Sequence, residues 1–316
     1  QEDEIFSLVV TVTPARSVRW SSSEPKIASV SSKGKVIAKR EGSATITAEA
    51  DGVKATCLVT VTASDADGAD VYIKTAEQTY LVAKNDEPAP IGASLVRFDG
   101  EKETTVDGAT FKYESTDESV ATVSEDGKIT AVAEGTADVI ISANGYTEYV
   151  SADIYTASVS TPEEWLAMFK EDFRFNDRYY LKNDIDFQGE EYALGRDNNT
   201  FCSEVNGNYH TVKNITSWRD KRYNDPSMDA FQSIFGITVI GIKAKNLTFE
   251  NIRFTKANCA LISDNYYSHE SIVNDKGETE RVVQHETYIS NIRASVVYGA
   301  NAGKGLCSTL IGGSAE

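Results

Sequence analysis

Residues 20–44 read WSSSEPKIASVSSKGKVIAKREGSA, and residues 113–137 read YESTDESVATVSEDGKITAVAEGTA. The two stretches lie ninety-three positions apart, and the motifs that they share stay in one register throughout. A repeat period of this length is too long for a solenoid and suits a tandem of small domains. The duplication therefore predicts two copies of one fold in the first half of the chain.

Short strands between turn signals are predicted around the first stretch. Apolar and polar residues alternate there, as they do in half-buried antiparallel strands. Two strands each place three apolar residues on one face: Leu8, Val10 and Val12, then Cys57, Val59 and Val61. Cys57 is expected as a small core side chain, and Gly34 supplies the positive φ of a hairpin turn. This pattern is typical of a β-sandwich.

The repeated motifs, taken in order, resemble those of the bacterial Ig-like domain, group 2. In the first copy they are Trp-Ser-Ser-Ser, Ile-Ala-Ser-Val, Gly-Lys-Val, Glu-Gly-Ser-Ala-Thr-Ile-Thr-Ala and a closing Val-Thr-Val. The second copy carries them with Tyr113 in place of the Trp. The resemblance covers nearly half of the chain and implies Ig-like sandwiches at residues 1–63 and 69–156. It also implies the settings of such domains, which are bacterial surface adhesins and phage tail and capsid proteins.

The two copies differ at their front ends. The second has strand-like segments at 71–74 and 79–82 ahead of its core motif, whereas nineteen residues precede Trp20 in the first. We therefore expect the first copy to be incomplete at its N-terminal side and its sheet to end in an unpaired edge. One explanation is a cut or processed chain, which an opening at Gln1 without a signal peptide favours. The other is a strand donated by a partner or another copy.

The linker at residues 63–70 carries three carboxylates near a domain junction. Asp65, Asp67 and Asp70 are hard oxygen ligands of the kind that calcium prefers. The segment resembles only the first part of an EF-hand loop, and the closing bidentate Glu is absent. A calcium site and a solvated acidic turn are both open interpretations.

The third region, residues 157–316, has a different pattern. Thr161, Pro162 and Glu164 predict a helix start with a capping box and proline at the first helical position. The apolar face that follows is formed by Trp165, Leu166, Met168, Phe169 and Phe173. Beyond it, short strands alternate with turns. Asn recurs before Ile or Leu at 214, 246, 251 and 291, as expected of stacked rungs with asparagine at a turn.

These strands resemble the start of a right-handed parallel β-helix capped by the Trp165 helix. The resemblance rests on Leu-Lys-Asn-Asp-Ile-Asp-Phe and Asn-Gly-Asn-Tyr-His-Thr-Val, which look like segments of bacterial surface and phage proteins of that fold. A β-helix needs both ends covered, and no closing helix precedes Glu316. The third region is therefore expected to be incomplete at its C-terminal side or to have its end covered by another subunit.

Aromatic and basic residues in two segments of the third region are the candidate ligand contacts. Such side chains on a rigid scaffold suit carbohydrate or protein binding. The alternative is that these segments are solvated loops whose aromatic side chains pack against the β-helix. The candidates are Trp218, Arg219, Arg222, Tyr223, Tyr266, Tyr267 and His269.

No catalytic residue is predicted, although some parallel β-helices are enzymes. Asp184 and Asp186 alternate on one strand, and paired carboxylates can hydrolyse glycosides at a suitable separation. Carboxylates in the first rung of a β-helix, beside its cap, more often face solvent. His269 and His285 flank a predicted hairpin and could meet across it to bind a metal, but surface histidines are the simpler interpretation.

Composition narrows the class of partner. The net charge of −17 at pH 7 argues against nucleic acid, because phosphate binding needs clustered Lys and Arg. The four cysteines form no CxxC pair and do not suggest a zinc site. No apolar run is long enough to span a membrane.

The sequence thus predicts an all-β chain: two Ig-like β-sandwiches followed by a right-handed parallel β-helix with an N-terminal capping helix. Its predicted function is a non-enzymatic, secreted or cell-surface adhesion protein. In it, Ig-like spacers present a β-helix that binds a carbohydrate or protein ligand. Self-association through the open sheet or β-helix ends is possible. A phage virion fibre or decoration protein and a polysaccharide-active β-helix enzyme are the alternatives.

Overall fold

A computed structural model provides the structure of this chain. It describes residues 5–13, 18–50, 52–62, 70–99, 101–168, 175–189, 191–192, 200–217, 232–233, 238–239, 243–254, 259–260, 262–264, 269–273, 279–283, 288–298 and 311–313. The chain divides into two compact units, residues 1–156 and 157–316. Almost all described elements are strands. Within these segments, no helix has the length and apolar character needed to cross a membrane.

The described residues of the first copy form six strands in two antiparallel sheets. They are β1 (Ile5–Ser7), β2 (Arg19–Ser22), β3 (Ala28–Val30), β4 (Lys35–Ala38), β5 (Gly42–Ala50) and β6 (Val53–Val61). One sheet has the order β1-β4-β3 and the other β2-β5-β6. The core includes Val36, Ile46 and Val59. Buried side chains alternate along β5, so its sheet buries one face, whereas all of β3 and three of the four residues of β4 are buried.

The second copy repeats this arrangement and adds strands to it. Its strands are β7 (Asp70–Lys74), β8 (Thr79–Ala83), β9 (Ala89–Pro90), β10 (Ser94–Phe98), β11 (Glu103–Thr105), β12 (Lys112–Ser115), β13 (Ala121–Val123), β14 (Lys128–Ala131), β15 (Gly135–Ala143) and β16 (Tyr146–Tyr155). The sheet orders are β12-β15-β16-β8, β13-β14-β9 and β11-β10-β7. Its core includes Ile129, Val139 and Ile154.

Equivalent residues of the two copies make the same local contacts. The Ser22 hydroxyl donates to the Ala28 carbonyl at 2.6 Å, and the Ser115 hydroxyl donates to the Ala121 carbonyl at 2.6 Å. Gly34 has a φ of 77° and its counterpart Gly127 one of 74°. The predicted duplication is confirmed at the level of single hydrogen bonds.

The copies differ at one sheet edge. In the second, β8 lies parallel to β16, in register from Ser151 opposite Thr79 to Tyr155 opposite Ala83. In the described part of the first, β6 is the last strand of its sheet. Val59 and Val61 are buried there, but Cys57 is exposed. The prediction of Cys57 as a core residue is therefore wrong: alternation gives the face of a strand but not whether neighbours cover it.

The predicted capped helix is confirmed as α1 (Pro162–Ala167). The Thr161 side chain accepts from the Glu164 N–H, and the Glu164 carboxylate accepts from the Thr161 N–H. Trp165 is fully buried, and its ring meets that of Phe249 edge to face at 6.2 Å. The predicted face continues to Phe169 and Phe173, which lie outside the described residues.

The remaining strands of the third region pair mostly in parallel. They are β17 (Ala157–Val159), β18 (Phe175–Leu181), β19 (Ile185–Asp186), β20 (Glu191–Tyr192), β21 (Thr200–Asn206), β22 (Thr211–Lys213), β23 (Thr216–Ser217), β24 (Gln232–Ser233), β25 (Thr238–Val239), β26 (Lys243–Phe254), β27 (Cys259–Ala260), β28 (Ile262–Asp264), β29 (His269–Val273), β30 (Thr279–Val283), β31 (Tyr288–Tyr298) and β32 (Ile311–Gly313). The exception is the hairpin-like pair β29–β30, which is antiparallel as predicted.

One column of residues shows how the parallel strands stack. Ala157, Tyr179, Val205, Ala244 and Ile289 occupy matching positions on β17, β18, β21, β26 and β31. Their side chains belong to or pack against one apolar cluster. The stacking agrees with the predicted rungs, while a closed parallel β-helix remains a prediction.

The four recurring asparagines interrupt the extended backbone, and three of them, Asn246, Asn251 and Asn291, lie within β26 and β31. Asn214, Asn246, Asn251 and Asn291 all have φ between 48° and 59°, a region that Asn tolerates better than most residues. Their side chains bond across rungs: Asn251 Nδ2 donates to Asn214 Oδ1 at 2.7 Å, and Asn291 Nδ2 donates to Asn246 Oδ1 at 3.0 Å. The left-handed backbone and the bonds between rungs agree with asparagine at stacked turns, which stays a prediction.

Candidate functional site: the joint between the two copies

Most of the predicted ligand contacts fall outside the described residues. These are Trp218, Arg219, Arg222, Tyr223, Tyr266 and Tyr267. His269 begins β29 with its backbone opposite Val283, and nothing is described of its side chain. His285 also lies outside. The ligand site in these loops therefore remains a prediction.

The predicted calcium linker is described only at its last carboxylate. Asp65 and Asp67 lie outside the described residues, and Asp70 begins β7 opposite Phe98. Within the described part of the chain, no three His, Cys, Asp or Glu side chains form a group that could hold a metal ion. The calcium site likewise remains a prediction.

The two carboxylates that resemble a glycosidase pair make local polar contacts. Asp184 Oδ1 accepts from the Thr211 N–H at 2.9 Å and lies 3.3 Å from His210 Nδ1. Asp186 Oδ1 accepts from Asn214 Nδ2 at 2.7 Å. That hydrogen bond, followed by one from a backbone N–H, lowers the pKa of Asp186. A carboxylate held ionised in this way is poorly suited to the general-acid role.

The most highly organised polar cluster of the described residues joins the two copies. Its centre is Glu148 on β16, whose side chain is completely buried. Glu148 forms an ion pair with Lys39 of the first copy. Its Oε1 also accepts from the Ser29 hydroxyl at 2.7 Å and from the Tyr149 N–H at 2.8 Å. A buried carboxylate needs such partners, because its desolvation otherwise costs several kcal/mol.

Lys39 is buried with its partner. Burial lowers the pKa of the Lys39 ammonium to about 7, while the adjacent Glu148 carboxylate favours the charged form. The ammonium also lies 5.9 Å from the centre of the Tyr72 ring, within the range of a cation–π contact. Both members of the pair are thus held by several groups.

A second carboxylate at the joint, Glu103 on β11, is surrounded by donors. Lys74 Nζ lies 2.6 Å from its Oε2, and the Tyr72 hydroxyl donates to Oε1 at 2.6 Å. Lys26 of the first copy approaches Oε1 at 3.0 Å. The hydrogen bonds from Lys74 and Tyr72 lower the pKa of Glu103 to about 2. Burial and this carboxylate raise the pKa of the Tyr72 hydroxyl well above its usual range.

A third set of contacts extends the joint along β15 and β16. Asp138 Oδ1 accepts from the Ser32 N–H of the first copy at 2.9 Å and from the Ser151 hydroxyl at 3.1 Å. Lys35 Nζ donates to the Tyr149 hydroxyl at 3.2 Å. Carboxylates of the second copy thus meet donors of the first at three places, which gives the joint a defined register.

A cleft of about 280 Å³ opens beside this joint. Both copies line it, including Ile37 and Lys39 from the first and Tyr72, Tyr146 and Thr147 from the second. The chemistry of the joint is suited to holding two domains together.

Sequence reasoning missed this joint, although the duplication contains a signal for it. Lys39 corresponds to Val132 in the second copy, and Glu148 corresponds to Ala55 in the first. A contact between the copies cannot be repeated within each copy. Charged residues present in one copy at positions that are apolar in the other therefore mark the surfaces that meet.

Two segments of the chain match a known domain family. The bacterial Ig-like domain (group 2) matches residues 2–61 and 89–153, so the resemblance of both copies is confirmed. A curated relative, an α-L-arabinofuranosidase of Bifidobacterium longum subsp. longum, is 35% identical over 130 residues. That match covers 36% of this chain and only 12% of the relative.

Two kinds of protein are among the solved structures that match part of this chain. Domains 4 and 5 of the S-layer protein SbsC match at 22% identity, with 48% of this chain and 83% of that chain covered and a TM-score of 0.23. Domains EC1-4 of Drosophila N-cadherin match at 13% identity, with 50% of this chain and 45% of that chain covered and a TM-score of 0.20.

Proposed function

We propose that this chain is a non-enzymatic part of an extracellular bacterial surface protein. In this proposal the two Ig-like copies form a spacer, and the third region binds a carbohydrate or protein ligand. The observation that carries the proposal is the joint around Glu148. A spacer has to keep its domains in a fixed relation, and the buried Lys39–Glu148 pair favours such a relation.

The energetics of the joint support this role. Separating the copies would return Lys39 and Glu148 to water, which offsets the lost pairing; any other packing that keeps one of the two charges buried without its partner would cost roughly 3–5 kcal/mol. The contacts of Glu103 and Asp138 would be lost together with the pair. A joint of this kind resists bending more than a flexible linker would, which is useful when a binding region is to be held away from a surface.

Ligand binding is assigned to the loops of the third region because their aromatic and basic residues suit glycan or protein contact. The test is a glycan array and a bacterial surface-protein panel probed with the intact chain. A double substitution, Trp218→Ala with Tyr223→Ala, should weaken a binding signal at least tenfold. Tyr209→Ala is the matched control, since Tyr209 is an exposed aromatic residue of the same region outside those loops. Equal loss in both variants would overturn the assignment.

The second candidate function is action on a polysaccharide. It is favoured by the α-L-arabinofuranosidase relative and by the proximity of Asp184 to His210. Under this alternative Asp184→Asn should abolish release of reducing sugar from arabinose-containing polysaccharides. Under the main proposal the unaltered chain releases none, and the substitution changes nothing.

A further inference from the structure

The cleft beside the joint is shared by the two copies, and its size suits a small ligand. Its volume is about 280 Å³, just below the range of roughly 300–1,000 Å³ that is typical of pockets for drug-sized ligands. A space of this size is too short for an extended peptide and fits a single pyranose or furanose ring. Boundaries between domains are common places for small-molecule sites.

Neutral polar side chains line the cleft on the side of the second copy. They are Asn144, Tyr146 and Thr147, at the hairpin turn between β15 and β16. In the part of the chain that the structure describes, the Asn144 amide and the hydroxyls of Tyr146 and Thr147 have no hydrogen-bond partner. The three side chains together offer donors and acceptors to a ligand.

Main-chain groups of β16 face the cleft as well. The Ser151 N–H donates away from β15, to the Gln78 carbonyl. The Tyr149 N–H also points away from β15 and donates to Glu148 Oε1. Alternate residues of a strand bond in the same direction, so the Thr147 N–H and carbonyl point out of the sheet at the edge that borders the cleft.

Strand β7 borders the cleft with a second edge. It is the last strand of its sheet in the described residues. The Val106 N–H donates to the Leu95 carbonyl, so the odd-numbered residues of β10 bond toward β11. Their partners on β7, Val71 and Ile73, therefore point their N–H and carbonyl groups out of the sheet. Both of these residues line the cleft.

Apolar surface and a neutralised charge complete the lining. Ile5 is 46% exposed and lines the cleft opposite the hairpin of the second copy. Lys39 is the charged residue among the described residues that line it, and it is paired with Glu148. A ligand with its own carboxylate or phosphate would gain no free cation there and would lie close to Glu148. The lining therefore favours a neutral ligand with hydroxyl groups and an apolar face.

The first copy lacks these neutral polar residues at its own hairpin. By the ninety-three-residue offset, the three positions correspond to Asp51, Val53 and Lys54. The joint does not account for the difference, because in the described residues the three side chains of the second copy form no hydrogen bond or ion pair with the first copy. The change from charged and aliphatic residues to Asn, Tyr and Thr coincides with the cleft.

We propose that this cleft binds one sugar unit of a neutral glycan. The hydroxyls of the sugar bond to Asn144, to Thr147 and to the outward main-chain groups of β7 and β16. Its C–H face packs on Ile5 and on the Tyr146 ring, since aromatic rings supply apolar contact area with a polar tip. The site is separate from the loops of the third region and adds a glycan contact to the spacer itself.

The test is an NMR titration of the isotope-labelled intact chain with the methyl glycosides of glucose, galactose and arabinofuranose. At least one of them should shift the backbone amides of residues 144–147 in a saturable way. Asn144→Asp removes the amide donors and should weaken that binding about tenfold. The turn should be retained, because Asp tolerates the left-handed φ of 51° and the first copy carries Asp51 before Gly52 at this place.

Two further comparisons locate the site. Tyr146→Ala removes the ring and should also weaken binding about tenfold. Val53→Ala is the matched control, since Val53 is the counterpart of Tyr146 in the first copy and is exposed, and it should leave the affinity unchanged. The double substitution Trp218→Ala with Tyr223→Ala should leave it unchanged too, so that this site and the loops of the third region fail independently.

Four results would overturn the proposal. They are no saturable shift at residues 144–147 with any of the three glycosides, an affinity that Asn144→Asp and Tyr146→Ala leave unchanged, and an equal loss in Val53→Ala. The fourth is tighter binding of methyl glucuronoside than of methyl glucoside, which would identify an anion site at Lys39.

Discussion

Strands β6 and β16 occupy the same place in two copies of one fold, yet their surroundings differ. From residue 148 to 155, β16 is almost entirely buried, whereas β6 buries only Val59 and Val61. The difference comes from the neighbours: β8 covers one edge of β16, and the first copy packs on part of its length. A duplicated sequence thus fixes the internal contacts of each copy, while the exposure of a strand depends on what lies outside the repeat.

At the joint, equivalent positions of the two copies differ in charge as well as in exposure. Lys39 is buried against Glu148, but its counterpart Val132 is 46% exposed. The two copies share one backbone fold but differ in their surface side chains. Equivalent positions therefore serve as internal controls, since a substitution can be made in each copy and the effects compared.

The largest difference is expected at Glu148. Glu148→Ala leaves the buried Lys39 ammonium without its carboxylate and should lower the free energy of unfolding by roughly 3–5 kcal/mol. Guanidinium denaturation measures this change. Glu49→Ala is the control, because the Glu49–Lys54 pair is exposed and 3.5 Å apart and should contribute at most about 1 kcal/mol.

A further variant separates the charge from the packing at Glu148. Lys39→Met combined with Glu148→Leu removes both charges, and it should recover most of the loss, because apolar replacements of a buried pair are often neutral. Equal losses for Glu148→Ala and Glu49→Ala would show that the joint does not stabilise the tandem.

The turn glycines give the next largest effect. Alanine at either position would adopt a left-handed conformation at a cost of roughly 1–2 kcal/mol. At Gly34 the added Cβ would also lie 2.7 Å from the Leu8 backbone oxygen, whereas at Gly127 its nearest atoms belong to the Tyr113 side chain. A ring can turn aside more easily than a backbone, so Gly34→Ala should destabilise more than Gly127→Ala.

Thermal unfolding of both glycine variants measures this difference. If Gly127→Ala proved the more damaging of the two, the Tyr113 ring would be fixed more rigidly than the Leu8 segment.

Val150 and Cys57 compare the covered strand with the open one at equivalent positions. Val150 is fully buried and Cys57 is exposed. Val150→Ala should cost about 2 kcal/mol through lost burial and a small cavity, while Cys57→Ala should change stability by about 0.5 kcal/mol or less. Denaturation of the two single variants measures and compares these two losses of stability. A comparable loss at Cys57 would mean that β6 is covered in solution.

Much of this fold could be predicted from sequence, because its determinants are local. The helix start at Thr161 follows from residue types at a fixed spacing, and the left-handed backbone at Asn214, Asn246, Asn251 and Asn291 follows from the residue type alone. The joint was missed, since Ser29 and Glu148 are 119 residues apart and nothing local requires either; its signal lies only in the comparison of the two copies. The exposure of Cys57 was predicted wrongly for the same reason, because an alternating pattern does not show whether a strand lies at an edge.

The smallest expected effect concerns Glu103, on a hairpin of the second copy that touches Lys26 of the first. Its pKa in the folded chain is about 2, below the value of about 4.3 expected when unfolded. A depressed pKa stabilises the fold above the unfolded value, and that contribution is lost as the pH falls from about 5 to about 2.

Glu103→Gln should remove this part of the acid dependence, roughly 1 kcal/mol once solvent screening is considered. Unfolding followed at several pH values measures it, with Glu101→Gln as a control at an exposed position of the same hairpin. If Glu103→Gln left the acid dependence unchanged, the contacts of Glu103 with Lys74, Tyr72 and Lys26 would not stabilise the folded chain.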